Sequence, residues 1–223
     1  MRRRNSSDSA QYNSAALSLP GGHILRVADK VHPAPVYERR PGTAFSRALA
    51  TAGLWPGGVT PGSAPGLFEV PLADGRALPV GVLICFDSSF PALARDLQQR
   101  GARLLVEISN LIETGSWSAR QHALSARLRA VETGLPLVRV GNLGASEWID
   151  RRGHRLAALP AGVPSVASHA LPAAGRGTAY ARWGDRPVFA LALLFPCLAL
   201  LRRPGSQPQS PNRNLKHPQE TSP

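Results

Sequence analysis

The run Leu78-Pro79-Val80-Gly81-Val82-Leu83-Ile84-Cys85 is almost unbroken apolar sequence with β-branched residues in it. That is the pattern of a strand covered on both faces. A short turn, Phe86-Asp87-Ser88-Ser89-Phe90, follows, and Pro91 suits the first position of a helix that stops at Gly101. A second buried strand, residues 103–109, comes next. Strand, helix and strand packed into this short a stretch make a βαβ unit with parallel strands, so the fold class is α/β.

Other segments fit around this unit. Residues 13–19 and 23–28 flank Pro20-Gly21-Gly22 and read as a hairpin. A proline-rich loop spans 31–42, a short helix is expected at 45–52, and the glycines and prolines of 55–66 demand loop. Residues 117–133 give the clearest helix. Trp117, Leu124, Leu128 and Val131 recur at helical spacing, the stripe an amphipathic helix turns to its core, and Gly134 ends it. Residues 135–140 are a third strand, and 146–150 with 155–159 form a hairpin around Arg151-Arg152-Gly153.

The termini read differently. Residues 1–10 are polar and basic, lack the apolar stretch of a secretory signal and are expected to be a disordered leader. The folded domain is expected over 11–160, an Ala/Gly/Pro-rich linker over 161–182, and a disordered tail over 204–223. Between linker and tail, residues 187–201 are uncharged and mostly apolar, and Arg202-Arg203 close the run. A single C-terminal transmembrane helix is expected over 183–203, with the basic tail in the cytoplasm.

The net charge of +12 would suit an acidic partner, but 24 of the 26 basic residues are arginines scattered along the chain. No basic helix or aromatic–basic interleaving appears, so no nucleic-acid partner is expected. Two cysteines, without CxxC or Cys/His spacing, give neither a disulfide framework nor a metal site.

Two residues carry chemistry. Cys85 closes a buried strand before a tight turn into a helix, the geometry that presents a nucleophile at a sheet edge. The backbone N–H of Phe86 is placed to stabilise an oxyanion. The alternative for Cys85 is a small thiol that only packs. Lys30 is the only lysine before residue 216 in a chain where the default cation is arginine. A site that wants a compact ammonium explains it; a solvated loop lysine is the alternative. Glu38, in the same loop, is placed to orient that ammonium.

Taken in order, these motifs resemble a known family. Asp29-Lys30-Val31-His32 with Glu38, GVLICFDSSFP at 81–91, LLVEISN at 104–110 and QHALSARLRAVETGLPLVRVGNLGASEWIDRRG at 121–153 are similar to the nitrilase (carbon–nitrogen hydrolase) superfamily. The last of these, followed by a final apolar helix, resembles the apolipoprotein N-acyltransferases within it. The resemblance covers residues 11–203. It implies an αββα sandwich and a Glu–Lys–Cys triad, with the nucleophile on Cys85, the lysine on Lys30 and a second functional glutamate on Glu38. It also implies an acyl chain taken from a phospholipid as a Cys thioester and passed to the N-terminal amine of a diacylglyceryl-cysteine apolipoprotein, without a cofactor, at the bacterial inner membrane.

The match has gaps. The triad's base glutamate and the family's bundle of membrane helices lie upstream of Gln11 and have no counterpart in residues 1–10, where Asp8 is a poor stand-in. Asp87 stands where the family has a glutamate. The chain is therefore expected to correspond to the C-terminal part of such an enzyme and to be a weak or dead catalyst. The remaining alternatives are a non-catalytic, membrane-tethered nitrilase-like domain and an amidase-type hydrolase.

Overall fold

A computed structural model of the chain describes residues 2–5, 8–35, 38–39, 42–54, 58–111 and 115–201. The βαβ unit is its centre. Strand β5 (Ala77–Ile84) leads through a 3-10 turn (Cys85–Ser89) into helix α2 (Pro91–Gln99) and then strand β6 (Leu104–Ser109). β5 and β6 are parallel, with Val80 opposite Leu104 and Ile84 opposite Ile108. Strand β7 (Leu137–Gly141) adds in parallel to β6. Three antiparallel strands complete a six-stranded mixed sheet: β4 (Gly66–Pro71) beside β5, and β8 (Ser146–Ile149) and β9 (Arg155–Leu159) beyond β7.

Both faces of β5 are covered, which is why its sequence does not alternate. Val80, Val82 and Ile84 pack with Phe68, Leu104, Ala15 and Ala28 on one side. Leu83 packs with Leu97, Leu105, Ala126, Ala130 and Leu137 on the other. Gly81 lets α2 lie close on the strand, since a Cβ there would meet Leu97 Cδ1 at 2.9 Å and Leu105 Cδ2 at 3.0 Å.

The Ala15 and Ala28 side of this core belongs to a second, three-stranded antiparallel sheet of β1 (Arg2–Asn5), β2 (Asp8–Ser18) and β3 (Ile24–Asp29). The expected hairpin across Pro20-Gly21-Gly22 is present, with Ser14 opposite Asp29. The layers are thus helices, large sheet and small sheet. The fourth layer of the expected αββα sandwich is not seen among the described residues. Helix α1 (Ala44–Thr51) joins neither core, and Ile24 and Leu25 on β3 stay 53% and 51% exposed.

Helix α3 (Gly115–Thr133) is where expected but turned over. Trp117, Leu124, Leu128 and Val131 are 73%, 54%, 55% and 45% exposed. The buried face is Ala119, His122, Ala126, Arg129, Ala130 and Thr133. Small alanines let the helix backbone approach the sheet closely, and the polar members have buried partners, described below. Large apolar residues dominate a periodicity reading; small ones won the core.

The domain boundaries also move. The polar leader is not disordered at Arg2–Asn5, which pairs with β2, Arg4 opposite Gln11. A polar edge strand needs only backbone hydrogen bonds to be held, and charge at an edge is ordinary. The end of the expected linker is likewise docked. Gly175 N–H donates to Gly134 O at 2.8 Å, and Thr178 Oγ1 donates to Glu132 O. Helix α4 (Ala179–Trp183) buries Ala181, whose carbonyl accepts from Gln99 Nε2 at 2.8 Å. The compact unit therefore runs to Gly184 rather than 160.

Residues from Asp185 onward form a separate unit, represented by helix α5 (Arg186–Leu201). The span expected from 183 is interrupted at Gly184, whose φ of 59° and ψ of −139° end α4. Among the described residues no helix is long and apolar enough to cross a membrane. The 16 residues of α5 rise ~24 Å. Arg202, Arg203 and the tail 204–223 lie outside the described residues.

Candidate active site

Cys85 begins the turn after β5 with φ of +53°, the only non-glycine with positive φ among the described residues. A left-handed backbone at a side chain with a Cβ is strained, and such strain persists only where surrounding structure enforces it. Here the enforcement is local. Ser88 Oγ donates to Cys85 O at 2.9 Å, and the Phe86 N–H donates to the thiol itself. Burial pushes the Cys85 thiol up from its ordinary value; the Lys30 ammonium pulls it down, and the carboxylates of Glu107 and Glu38 push it further up.

Lys30 follows β3 directly and is fully buried. Its backbone is pinned on both sides: its N–H donates to Asn13 O at 2.7 Å, and its carbonyl accepts from Gly62 N at 2.8 Å. Its Nζ donates to Glu38 Oε2 at 2.5 Å. Glu38 also accepts from Ala34 N at 2.7 Å and from Asn13 Nδ2 at 2.8 Å. Burial alone would raise the Glu38 pKa, but the Ala34 N–H, the Lys30 ammonium and the Asn13 amide together hold it below its ordinary range.

Asp87 joins the two pieces. Its side chain is buried and accepts from His32 N at 2.7 Å, Ile84 N at 3.2 Å and Val31 N at 3.4 Å. One carboxyl group thus ties the loop after Lys30 to the strand end before Cys85. Burial raises its pKa against these three bonds.

A second polar group lies on the helix side of the sheet. Glu107 on β6 and Arg139 on β7 are register partners, both fully buried, with Arg139 Nε 3.1 Å from Glu107 Oε2. Ser109 Oγ donates to Glu107 Oε1. His122 of α3 places Nδ1 4.0 Å from Glu107 Oε1 and 3.4 Å from Ser88 Oγ, and Arg129 donates to Ser88 O at 3.1 Å. Burial first, then the charges of Arg139 and Lys30, lower His122 to about 4, so it is neutral at pH 7 and its contact with Glu107 is no ion pair.

Of the residues singled out in the sequence, Lys30 and Glu38 are in direct contact. Cys85 feels the charge of both, and the Phe86 N–H points at the thiol. Sequence reading passed over Asn13, Glu107, His122 and Arg139. The available signal was a charged residue inside each of two apolar strands, LLVEIS and LPLVRV. Among the described residues no three His, Cys, Asp or Glu side chains are grouped to hold a metal ion.

A mixed-sheet α/β fold with a strained cysteine at a strand-to-helix turn is nitrilase-like. The chain belongs to the carbon–nitrogen hydrolase family, which it matches over residues 1–180. It is similar to the apolipoprotein N-acyltransferase of Bradyrhizobium diazoefficiens, with 37% identity over 86% of this chain and 35% of the relative. That of Rhodopseudomonas palustris is 37% identical over 87% of this chain and 36% of the relative. The chain spans about a third of the length of these relatives. In fold it is similar to Saccharomyces cerevisiae Nit3, a member of branch 10 of the nitrilase superfamily. That likeness has a TM-score of 0.53 and 20% identity, over 71% of this chain and 53% of the other.

Proposed function

We propose that the chain carries the thioester-forming site of a lipoprotein N-acyltransferase. The observation that supports this most is the Cys85 turn: a thiol at a φ of +53°, with the buried Lys30 ammonium as the charge favouring its thiolate. Cys85 Sγ bonds to the acyl carbonyl carbon of a phospholipid, the ester C–O bond breaks, and the lysophospholipid leaves with a proton. The N-terminal amine of a diacylglyceryl-cysteine apolipoprotein then attacks the thioester. The C–S bond breaks, the amine loses a proton and the thiolate returns. In both halves Lys30 and the Phe86 N–H stabilise the tetrahedral oxyanion, and Glu38 holds Lys30 in place.

The acyl donor and the diacylated acceptor both live in a bilayer. The proposal therefore includes the inner membrane as location, with the Cys85 domain on the periplasmic side and α5 as the membrane contact. Apolar residues of α5, among them Phe189, Leu191, Leu193 and Phe195, are 66–79% exposed, a helix surface that suits hydrocarbon rather than water.

Burial holds the Cys85 thiol up, so acylation is expected to be slow at neutral pH. The test supplies a phospholipid and a synthetic diacylglyceryl-cysteinyl peptide, and in parallel a simple aliphatic amide. Slow N-acylation of the peptide that stops in Cys85→Ala supports the proposal. Ammonia released from the amide, with the peptide left unacylated, overturns it in favour of a hydrolase.

A further inference from the structure

Glu107 is the group that the proposed chemistry leaves unexplained. It is a fully buried carboxyl group in the middle of a strand, and its Oε2 has no hydrogen-bond partner although Arg139 Nε is 3.1 Å away. A buried, half-satisfied carboxylate is costly and calls for a reason. Its position supplies one. Glu107 is paired in register with Leu83, two residues before Cys85 on the neighbouring strand. It is also linked to the Cys85 turn through side chains. His122 Nδ1 lies between Glu107 Oε1 at 4.0 Å and Ser88 Oγ at 3.4 Å, and Ser88 donates its hydroxyl proton to Cys85 O at 2.9 Å. With that proton committed, Ser88 can only accept from His122, so Nδ1 carries the ring N–H.

We propose that Glu107 is a positioning residue of the candidate site, and that proton uptake at its carboxyl group makes the Cys85 thiol easier to ionise. This rests on Cys85 being the nucleophile of the reading above. Every charged or titratable group facing Glu107 bears on it: Arg139 from β7, His122 from α3, Lys30 from the loop after β3, and the Cys85 thiol at the end of β5. As a carboxylate, Glu107 opposes the thiolate with a negative charge, more strongly than Glu38 does. Taking a proton from solvent forms an O–H bond on Glu107 and removes that opposition, leaving the charge of Lys30 to favour the thiolate. Burial holds Glu107 at about 7 against the pull of Arg139, Ser109 and Lys30, so the change falls in the range where the site would work.

The test is the rate of Cys85 alkylation by iodoacetamide between pH 5.5 and 9, in the full chain with Cys197→Ser as background. This reads thiolate directly and needs no acyl transfer. A lone thiol loses about tenfold in rate per pH unit below its pKa. The background chain is expected to lose less than that near pH 7, because Glu107 is being neutralised there. Glu107→Gln is expected to restore the tenfold slope and to react faster at pH 8. Should Glu107→Gln fail to fold, the profile of the background chain decides alone. A tenfold slope through pH 7 in that chain, or a folded Glu107→Gln whose profile overlays it, would overturn the proposal. Failure of the acyltransferase reading shows separately, as an alkylatable Cys85 that forms no acyl thioester.

Discussion

Asp87 Oδ1 accepts the backbone N–H of His32 at 2.7 Å, across 55 residues of sequence. The same carboxyl group accepts from Ile84, so it fixes the distance between the Lys30 loop and the Cys85 turn. Asp87→Ala leaves these N–H groups without that acceptor. Loss of a hydrogen bond to a charged group costs about 1.5–3 kcal/mol each. Chemical denaturation is expected to show a loss of at least that size, with slower alkylation of Cys85 as Lys30 loosens; an unchanged midpoint would refute the clamp.

Lys30 is buried tightly enough that charge alone is not the requirement. Lys30→Met removes the one cation that lowers the Cys85 pKa in direct view of Glu38. Alkylation at pH 7.5 is expected to slow several-fold, as for a thiol whose pKa climbs when a neighbouring cation is lost. Lys30→Arg is not expected to rescue it, since a planar guanidinium does not fit a site enclosed around a compact ammonium.

His122 and Glu107 bias stability against pH in opposite directions. His122 falls from 6.5 to about 4 on folding, so the unfolded chain binds more protons between those values, and stability rises with pH across that window. Glu107 climbs from 4.5 to about 7, so the folded chain binds more protons, and stability falls as pH rises from 4.5 to 7. Each single variant unmasks the other group. His122→Asn is expected to lose stability from pH 4.5 to 7, and Glu107→Gln to gain it from pH 4 to 6.5. Melting curves at five pH values would show this, and parallel profiles for the two variants would contradict it.

The outward face of α3 tolerates change that its inward face does not. Leu128→Gln, at a side chain 55% exposed, is expected to alter stability by less than about 0.5 kcal/mol. Ala130→Leu, at a position fully buried against the sheet, is expected to cost about 1–3 kcal/mol by overpacking. A reversal of that order would mean the helix faces the other way.

The proposed membrane contact through α5 is checked by fractionation. A helix of ~24 Å falls short of a hydrocarbon core of about 30 Å, so a spanning helix needs its flanks. Retention of the chain in the pellet after carbonate washing is expected; release into the supernatant would rule out integral insertion.

What could be read from the sequence follows from how local each signal is. The βαβ unit announced itself because a doubly covered strand must be apolar throughout. Cys85 stood out by its place at that strand's end, and Lys30 by being the exception in an arginine-rich chain. The buried face of α3 was hidden because alanines carry little weight beside Trp117 and Leu128. Glu107 and Arg139 are 32 positions apart in sequence and meet only through the register of β6 and β7. The docking of 175–183 depends on hydrogen bonds to distant backbone carbonyls, which composition does not encode.

Intact mass spectrometry after incubation with a dipalmitoyl phospholipid in detergent tests the role of Cys85 most directly. One added palmitoyl group is expected, released by neutral hydroxylamine, absent in Cys85→Ala and reduced in Lys30→Met. An adduct that survives in Cys85→Ala, or no adduct at all in the unmodified chain, would contradict the assignment of Cys85 as the acyl-bearing nucleophile.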